Sequence, residues 1–275
     1  MTISIPDTFT LDHSENYIMS IRLWSGGLSF SAYHPQEAQS FIYREITFDR
    51  HTPYITSLKE LFFANELFAW NYKRTYVLYV SPQYTLVPKE VFVEKEKETL
   101  MSFTFSSREK RTMSNPIKDE QAELLFDLNE DIFEFCSRSL TNPIFIHHVT
   151  PLLITLKRQS LTDKQKQTSV VIHKRMIDII CFAEGQLLFA NSFMYEQADD
   201  LLYYILYVWR QTRMDQLHDR LSLSGETALC NEIAHKLQTY LQHIGQIEIP
   251  SEAYLLGGEI LQAPIDQLFL SVCEL

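Results

Sequence analysis

Apolar residues alternate with others along residues 17–24, where Met19, Ile21 and Leu23 share a face, and a return segment at 28–34 carrying Phe30 follows the turn Ser25-Gly26-Gly27. A strand buries one face at a period of two, so this stretch predicts a hairpin. The pattern recurs at Ile177, Ile179 and Cys181, then Ala183-Glu184-Gly185, then Leu187-Leu188-Phe189. Laying Gly27 on Gly185 brings the alternating apolar pairs into register, which predicts a duplicated meander. A third strand is expected at 40–48 in the first copy, and each copy is followed by a stretch of helical period.

In the first half, Thr52-Pro53 is expected to open a helix, with threonine as cap and proline at the first helical position, where its missing N–H costs nothing. Leu58, Leu61, Phe62, Leu67 and Phe68 recur at helical spacing and predict core. Tyr76, Leu78 and Val80 alternate as a strand, and 84–87 gives a short extended piece. Glu94 to Glu98 suits a helix, 100–105 alternates as a strand, and 108–118 is expected to be a loop. Residues 123–128 predict a buried strand. Asn129 can cap a helix burying Ile132, Phe135 and Cys136, and 144–150 predicts a strand before a helix at 152–158.

In the second half, 170–173, 176–182 and 186–193 predict three consecutive strands with a tight turn at Glu184-Gly185. A long helix over 196–214 carries Leu201, Leu202, Ile205, Val208 and Trp209 on its apolar face, with Asp199 and Asp200 in the opening turn, where the helix dipole favours negative charge. A strand at 220–224 turns at Gly225 into a helix over 226–240. A further strand is expected at 247–249 and a closing helix at 265–272. These elements predict a first half over 1–145, with a variable insertion at about 91–143, and a second over 146–275, the polar run 159–168 acting as hinge.

A hydrophobic content of 45% with only 7 glycines fits ordered globular domains. The net charge of −11 draws on both halves and opposes binding to nucleic acid or anionic lipid, which needs clustered Lys and Arg. The local exception, Arg108-Glu109-Lys110-Arg111, is expected to be a solvated loop. Cys136, Cys181, Cys230 and Cys273 show no C-x-x-C spacing, so no metal is expected and reduced, buried thiols are the default. Residues 1–7 lack a signal-peptide pattern and no window predicts a membrane span, so a cytoplasmic location without direct membrane insertion is expected.

Two units of three strands, helix and strand resemble the actin-like superfamily, and within it the pilus and secretion assembly proteins of the PilM and type II secretion L kind. A Bacteroidetes family of unknown function with that fold is the nearer resemblance. It is carried by Ile21-Arg22-Leu23-Trp24-Ser25-Gly26-Gly27-Leu28-Ser29-Phe30, by Glu184-Gly185-Gln186-Leu187-Leu188-Phe189-Ala190-Asn191-Ser192-Phe193, and by Leu221-Ser222-Leu223-Ser224-Gly225. It implies an α/β fold with mixed sheets, a duplicated actin-like (ribonuclease H-like) architecture of two similar halves around a cleft.

Active members hold ATP with magnesium between the halves, using an Asp-x-Gly turn in each half and a Gly-Gly turn near the adenosine, because glycine lets backbone N–H groups approach phosphate and carboxylates position hydrated Mg²⁺. On this resemblance the first turn falls at Asp12-His13-Ser14, keeping the acid and losing the glycine. The second falls at Val171-Ile172-His173, losing both, and the adenosine turn becomes Ser224-Gly225-Glu226. Two like charges 4 Å apart repel by about 4 kcal/mol at an effective dielectric near 20, so Glu226 opposes a polyanion. Asp12, Ser14, His173, Ser224, Gly225 and Glu226 are therefore expected to mark an eroded nucleotide site with no cofactor.

No catalytic set emerges elsewhere. His147 and His148 are expected on opposite faces of a strand, Asp199 and Asp200 diverge around a helix, and Ser224-Gly225 lacks a nucleophile elbow. The leading expectation is a non-catalytic scaffold that binds another protein and can also form a homo-oligomer. The alternatives are an ATP-binding switch or weak ATPase with a diverged site, and an enzyme whose site leaves no motif.

Overall fold

The computed structural model describes residues 2–6, 9–109 and 111–273; the readings that touch Met1, Asp7 and Lys110 lie, for those residues, outside the described part. The chain forms two compact units. The first comprises Met1–Pro116, Glu123–His148 and Pro250–Ala263, the second Ile117–Ala122, Val149–Ile249 and Pro264–Leu275. The polar run 159–168 lies inside the second unit, where it joins a helix to a strand.

In the first unit, β1 (Ile18–Trp24), β2 (Gly27–Tyr33) and β3 (Ile42–Thr47) form an antiparallel meander. After helix α1 (Tyr54–Phe63), strand β4 (Arg74–Tyr79) returns parallel to the free side of β1. The excursion from β4 carries β5 (Tyr84–Pro88), α2 (Lys97–Thr104), β6 (Arg111–Ile117), β7 (Ala122–Leu128) and α3 (Glu130–Ser139) before β8 (Pro143–His147) joins β4 in parallel. The sheet order is β3-β2-β1-β4-β8, and β5, β7 and β6 form a separate three-stranded sheet.

The second unit repeats this plan. After α4 (Val149–Ser160), β9 (Gln167–Ile172), β10 (Met176–Ala183) and β11 (Gln186–Met194) form the meander, α5 (Ala198–Gln211) crosses over, and β12 (Arg220–Ser224) returns parallel to β9. Helix α6 (Thr227–Leu237) leads to β13 (His243–Gln246), parallel to β12. The order β11-β10-β9-β12-β13 matches the first sheet strand for strand. The chain then forms α7 (Ser251–Leu255), which belongs to the first unit, and closes with α8 (Ile265–Val272) in the second.

The duplicated meander is therefore real, but laying Gly27 on Gly185 sets it one strand out of step. Gly27 opens β2, the second strand of its meander, whereas Gly185 precedes β11, the third. Both hairpins bury alternate residues, and that pattern alone cannot distinguish one hairpin of a meander from the next.

Several local expectations change. Residues 100–105 lie mostly in α2, whose one buried residue is Met101. The stretch expected to be a loop holds β6, because Arg108 and Arg111 have fixed partners: Arg108 makes a two-pronged pair with buried Asp127 at 2.8 and 2.9 Å, and Arg111 pairs with Glu130 at 2.7 Å and stacks on Phe133. A buried carboxylate needs such a partner. Pro53 is the residue before α1, and Leu67 and Phe68 fall in a 3-10 turn. Asn129 caps α3 by accepting from the amides of Asp131 and Ile132. The last strand falls at 243–246 instead of 247–249. His147 ends β8 and His148 follows it, so their rings lie 4.5 Å apart and not on opposite faces of a strand.

The core of the second unit joins Ile177, Ile179 and Cys181 of β10 to Leu201, Ile205, Val208 and Trp209 of α5 and to Ile233 and Leu237 of α6. The start of α5 is held by Asp200, whose carboxylate accepts the amides of Glu196 and Gln197 at 3.0 and 3.1 Å. Those bonds keep its pKa below the usual carboxylate value. Among the described residues no helix is long and apolar enough to cross a membrane.

Leu201 is fully buried while Leu202 is only half-buried. Leu201→Ala is expected to cost about 2–5 kcal/mol, and Leu202→Ala less than half of that, in urea unfolding. Burial pushes the thiols of Cys136 and Cys181 up to about 12. Since the unfolded chain releases these protons from about pH 8.5, the stability they carry is present below that pH and lost as pH rises toward 12. The unfolding free energy should therefore fall between pH 8 and pH 10, by about 2 kcal/mol for each thiol, read from urea titrations at the two pH values.

Candidate functional site

In the second unit β9 and β12 run parallel, with Ser222 beside Ser169 and Ser224 beside Val171, so both strands present their carboxyl ends on the same side. Open α/β sheets gather ligand-binding loops at such ends. Here they are the turn from β9 to β10, which carries His173, Lys174 and Arg175, and the turn from β12 into α6, which carries Gly225 and Glu226.

Gly225 has φ +149°, and a Cβ there would sit 2.6 Å from the carbonyl oxygen of Ile172. Glycine is thus required by the contact between the two turns. The His173 turn is closed by its amide, which donates to the Met176 carbonyl at 2.8 Å, and by the Tyr195 hydroxyl, which donates to the His173 carbonyl at 2.6 Å.

The His173 ring pairs with Asp178 at 2.7 Å, and Ser192 donates its hydroxyl to the other oxygen of the same carboxylate. Asp178 is completely buried. Both of its oxygens have polar partners there, as a buried carboxyl requires. Glu226, by contrast, is exposed ahead of the first residue of α6 and its side chain makes no capping bond. Burial, and secondarily the Glu226 charge, raises the pKa of both Tyr195 and Cys230. The carboxylate thus makes the potential at this turn more negative, while Lys174 and Arg175 are exposed on the neighbouring turn.

His173, Ser224, Gly225 and Glu226 are thereby brought together. Asp12 and Ser14 belong to the first unit, in a 3-10 helix over Leu11–Asn16 that precedes β1. Asp12 is exposed, and Ser14 is buried as a peg donating to the carbonyls of Leu11 and Asn71. By strand order, the counterpart of the His173 turn is the β1–β2 turn, Ser25-Gly26, so the first-half turn was placed one element too early. Neither of these two turns contains Asp-x-Gly.

Asp178, Ser192 and Tyr195 were missed from sequence. The available signal was a lone acid inside Met176-Ile177-Asp178-Ile179-Ile180, since a carboxylate in so apolar a strand requires a buried partner.

The strand order and paired crossovers define a protein of the actin-like ATPase fold. A Bacteroides thetaiotaomicron protein with that fold and unknown function superposes with a TM-score of 0.84 at 28% identity, over 98% of this chain and 100% of the other. The PilM-PilN type IV pilus biogenesis complex contains a chain that superposes with a TM-score of 0.52 at 11% identity, over 92% of this chain and 94% of that one. Residues 6–244 match the family described as Protein of unknown function (DUF3822), and the chain belongs to that family. No protein of curated function matches it.

Gly225→Ala is expected to destabilise by about 1–3 kcal/mol through strained φ and the clash with Ile172. Gly245→Ala, whose Cβ would meet nothing within 4 Å, is the control, expected to change stability by less than half as much in the same denaturant titration.

Proposed function

We propose that this chain is a non-catalytic scaffold of the actin-like fold, acting by binding another protein and not by turning over nucleotide. The observation that carries the reading is the pair of turns in the second unit. Where a phosphate-binding turn needs open backbone amides and a carboxylate available to metal, the β9–β10 turn has its amide and carbonyl at His173 closed on Met176 and Tyr195. Its nearby carboxylate, Asp178, is buried and bonded to His173 and Ser192. The adjoining turn adds the exposed charge of Glu226, which repels a triphosphate. PilM, which shares the fold, is found in a complex with PilN. That supports a protein-binding role for a chain of this architecture.

A second reading, a nucleotide-binding switch with a diverged site, is favoured by Lys174 and Arg175, two exposed cations on the β9–β10 turn. Calorimetric titration with magnesium-ATP at millimolar concentration separates the two. The expected outcome is no binding heat for wild type. Submicromolar, magnesium-dependent binding by wild type would replace the scaffold with the switch. Binding gained only in Glu226→Gly would identify that carboxylate as the occluding group, in keeping with a scaffold that has lost its ligand.

A further inference from the structure

The two sheets end differently. At the first sheet's β3 edge, the amides of Gln39 and Phe41 donate to the carbonyls of Leu255 and Leu256 at 2.9 and 3.0 Å, and the amide of Tyr43 donates to Glu259 at 3.0 Å. At its β8 edge, Asn115 accepts from the His147 amide and donates to the Phe145 carbonyl. The start of β3 and the end of β8 are thus covered. In the second sheet β13 is only 4 residues long, and shortness itself discourages pairing.

Strand β11, at the opposite edge, has 9 residues. Among the described residues no backbone hydrogen bond from another element reaches its outer side. The Ser192 amide donates to its neighbour Asn191 Oδ1 at 2.9 Å and not into the sheet. Because that sense alternates along an antiparallel strand, Ala190, Ser192 and Met194 present their backbone groups outward. A bulge leaves Leu188 without a partner on β10, at the far end from this stretch.

Two features select the occupant. Residues 186–194 contain no Asp, Glu, Lys or Arg, in a chain of net charge −11; charged side chains are a usual protection of exposed edges. The strand is also self-complementary when reversed about Asn191: Ala190 and Ser192 are small and Phe189 and Phe193 identical. The apolar surface continues through a chain of rings, Phe193 to Tyr204 at 4.6 Å, Tyr204 to Tyr203 at 5.5 Å and Tyr203 to Tyr207 at 5.9 Å. Tyr203 and Tyr207 are 63% and 42% exposed on α5.

We propose that β11 is a self-association edge, on which a second copy of this chain pairs its own β11 antiparallel about Asn191. The contact is isologous, with each residue meeting its counterpart across a two-fold axis. Cross-strand pairs of aromatic residues stabilise it, and the Ser192 amide exchanges Asn191 Oδ1 for a backbone carbonyl of the copy. The proposal deepens the protein-binding reading above by naming one partner and the surface that takes it.

Sedimentation equilibrium on the full chain, up to about 100 µM, tests it at affinities typical of modest interfaces. Wild type is expected to be dimeric. Asn191 is exposed, so Asn191→Lys and Asn191→Asp leave the fold intact while each sets two like charges directly opposite. Either variant alone should weaken dimerisation about tenfold or more. An equimolar mixture of the two should recover a dimer containing one of each. A monomeric wild type overturns the proposal and leaves the edge to an occupant other than a second copy, and a dimer that both variants retain, or a mixture that stays monomeric, overturns it equally. Failure here is separable from failure of the scaffold reading, because the nucleotide titration reports on the turns at the ends of β9 and β12 and not on β11.

Discussion

A three-stranded meander leaves its first strand with one unpaired edge, and the parallel return of the next strand to that edge is the constraint on which both units are built. A parallel neighbour cannot be reached through a tight turn, so the chain must cross over the sheet. Helix α1 makes that crossing before β4, and α5 makes it before β12. The first strand of each meander then becomes the centre of its sheet, flanked on both sides. The residues of β1 from Met19 to Leu23 are all buried, as are those of β9 from Thr168 to Ile172. The same crossing puts the carboxyl ends of β9 and β12 side by side, which is why His173 and Gly225, 52 positions apart by their residue numbers, share one locality.

That locality is ordered from within. A turn that holds a ligand leaves amides and charges available to it, whereas here the polar groups are mostly matched to one another. Asp178 is completely buried and has both oxygens bonded, to His173 and Ser192, and the His173 carbonyl is taken by Tyr195. Gly225 approaches Ile172 so closely that a Cβ would meet its carbonyl oxygen at 2.6 Å, so the two turns touch through backbone. Glu226 is exposed at this locality, with a sign that opposes phosphate.

The fold was legible where burial imposed a strict period. The meanders, the apolar face of α5 and helix α8 follow directly from residues such as Met19, Ile21 and Leu23 or Leu201, Ile205 and Val208, because a strand or helix facing one core repeats at its own period. It was not legible where a distant partner decides. Arg108 and Arg111 look solvated in sequence because Asp127 and Glu130, each 19 positions away, are invisible to a local pattern. Leu100 to Phe105 alternates well enough for a strand, and only packing around Met101 shows it to be mostly helical. Of the candidate residues, His173, Ser224, Gly225 and Glu226 lie together on adjacent turns of the second unit, but Asp12 was set before β1 because an isolated acid carries no register information. The strand order supplies that register by making the β1–β2 and β9–β10 turns equivalent.

Duplication fixes topology in both halves but leaves edges and turns free to differ, and these are the places where the two units part. The first sheet has the start of its β3 edge covered by residues that return to it from late in the chain, Leu255, Leu256 and Glu259, with Arg44 pairing to Glu259 at 2.9 Å. Among the described residues no backbone hydrogen bond from another element reaches the outer side of the equivalent edge of the second sheet, β11, although it is longer and lacks charge. An exposed strand edge carries unpaired backbone groups that favour another strand, and proteins usually blunt it. Here the blunting is confined to a bulge at Leu188 and the local bond from the Ser192 amide to Asn191, both of which leave the middle of the strand geometrically able to pair. On the β9–β10 turn the His173 amide and carbonyl are bonded within the unit, whereas the outer edge of β11 and the exposed tyrosines of α5 have no such bonds among the described residues.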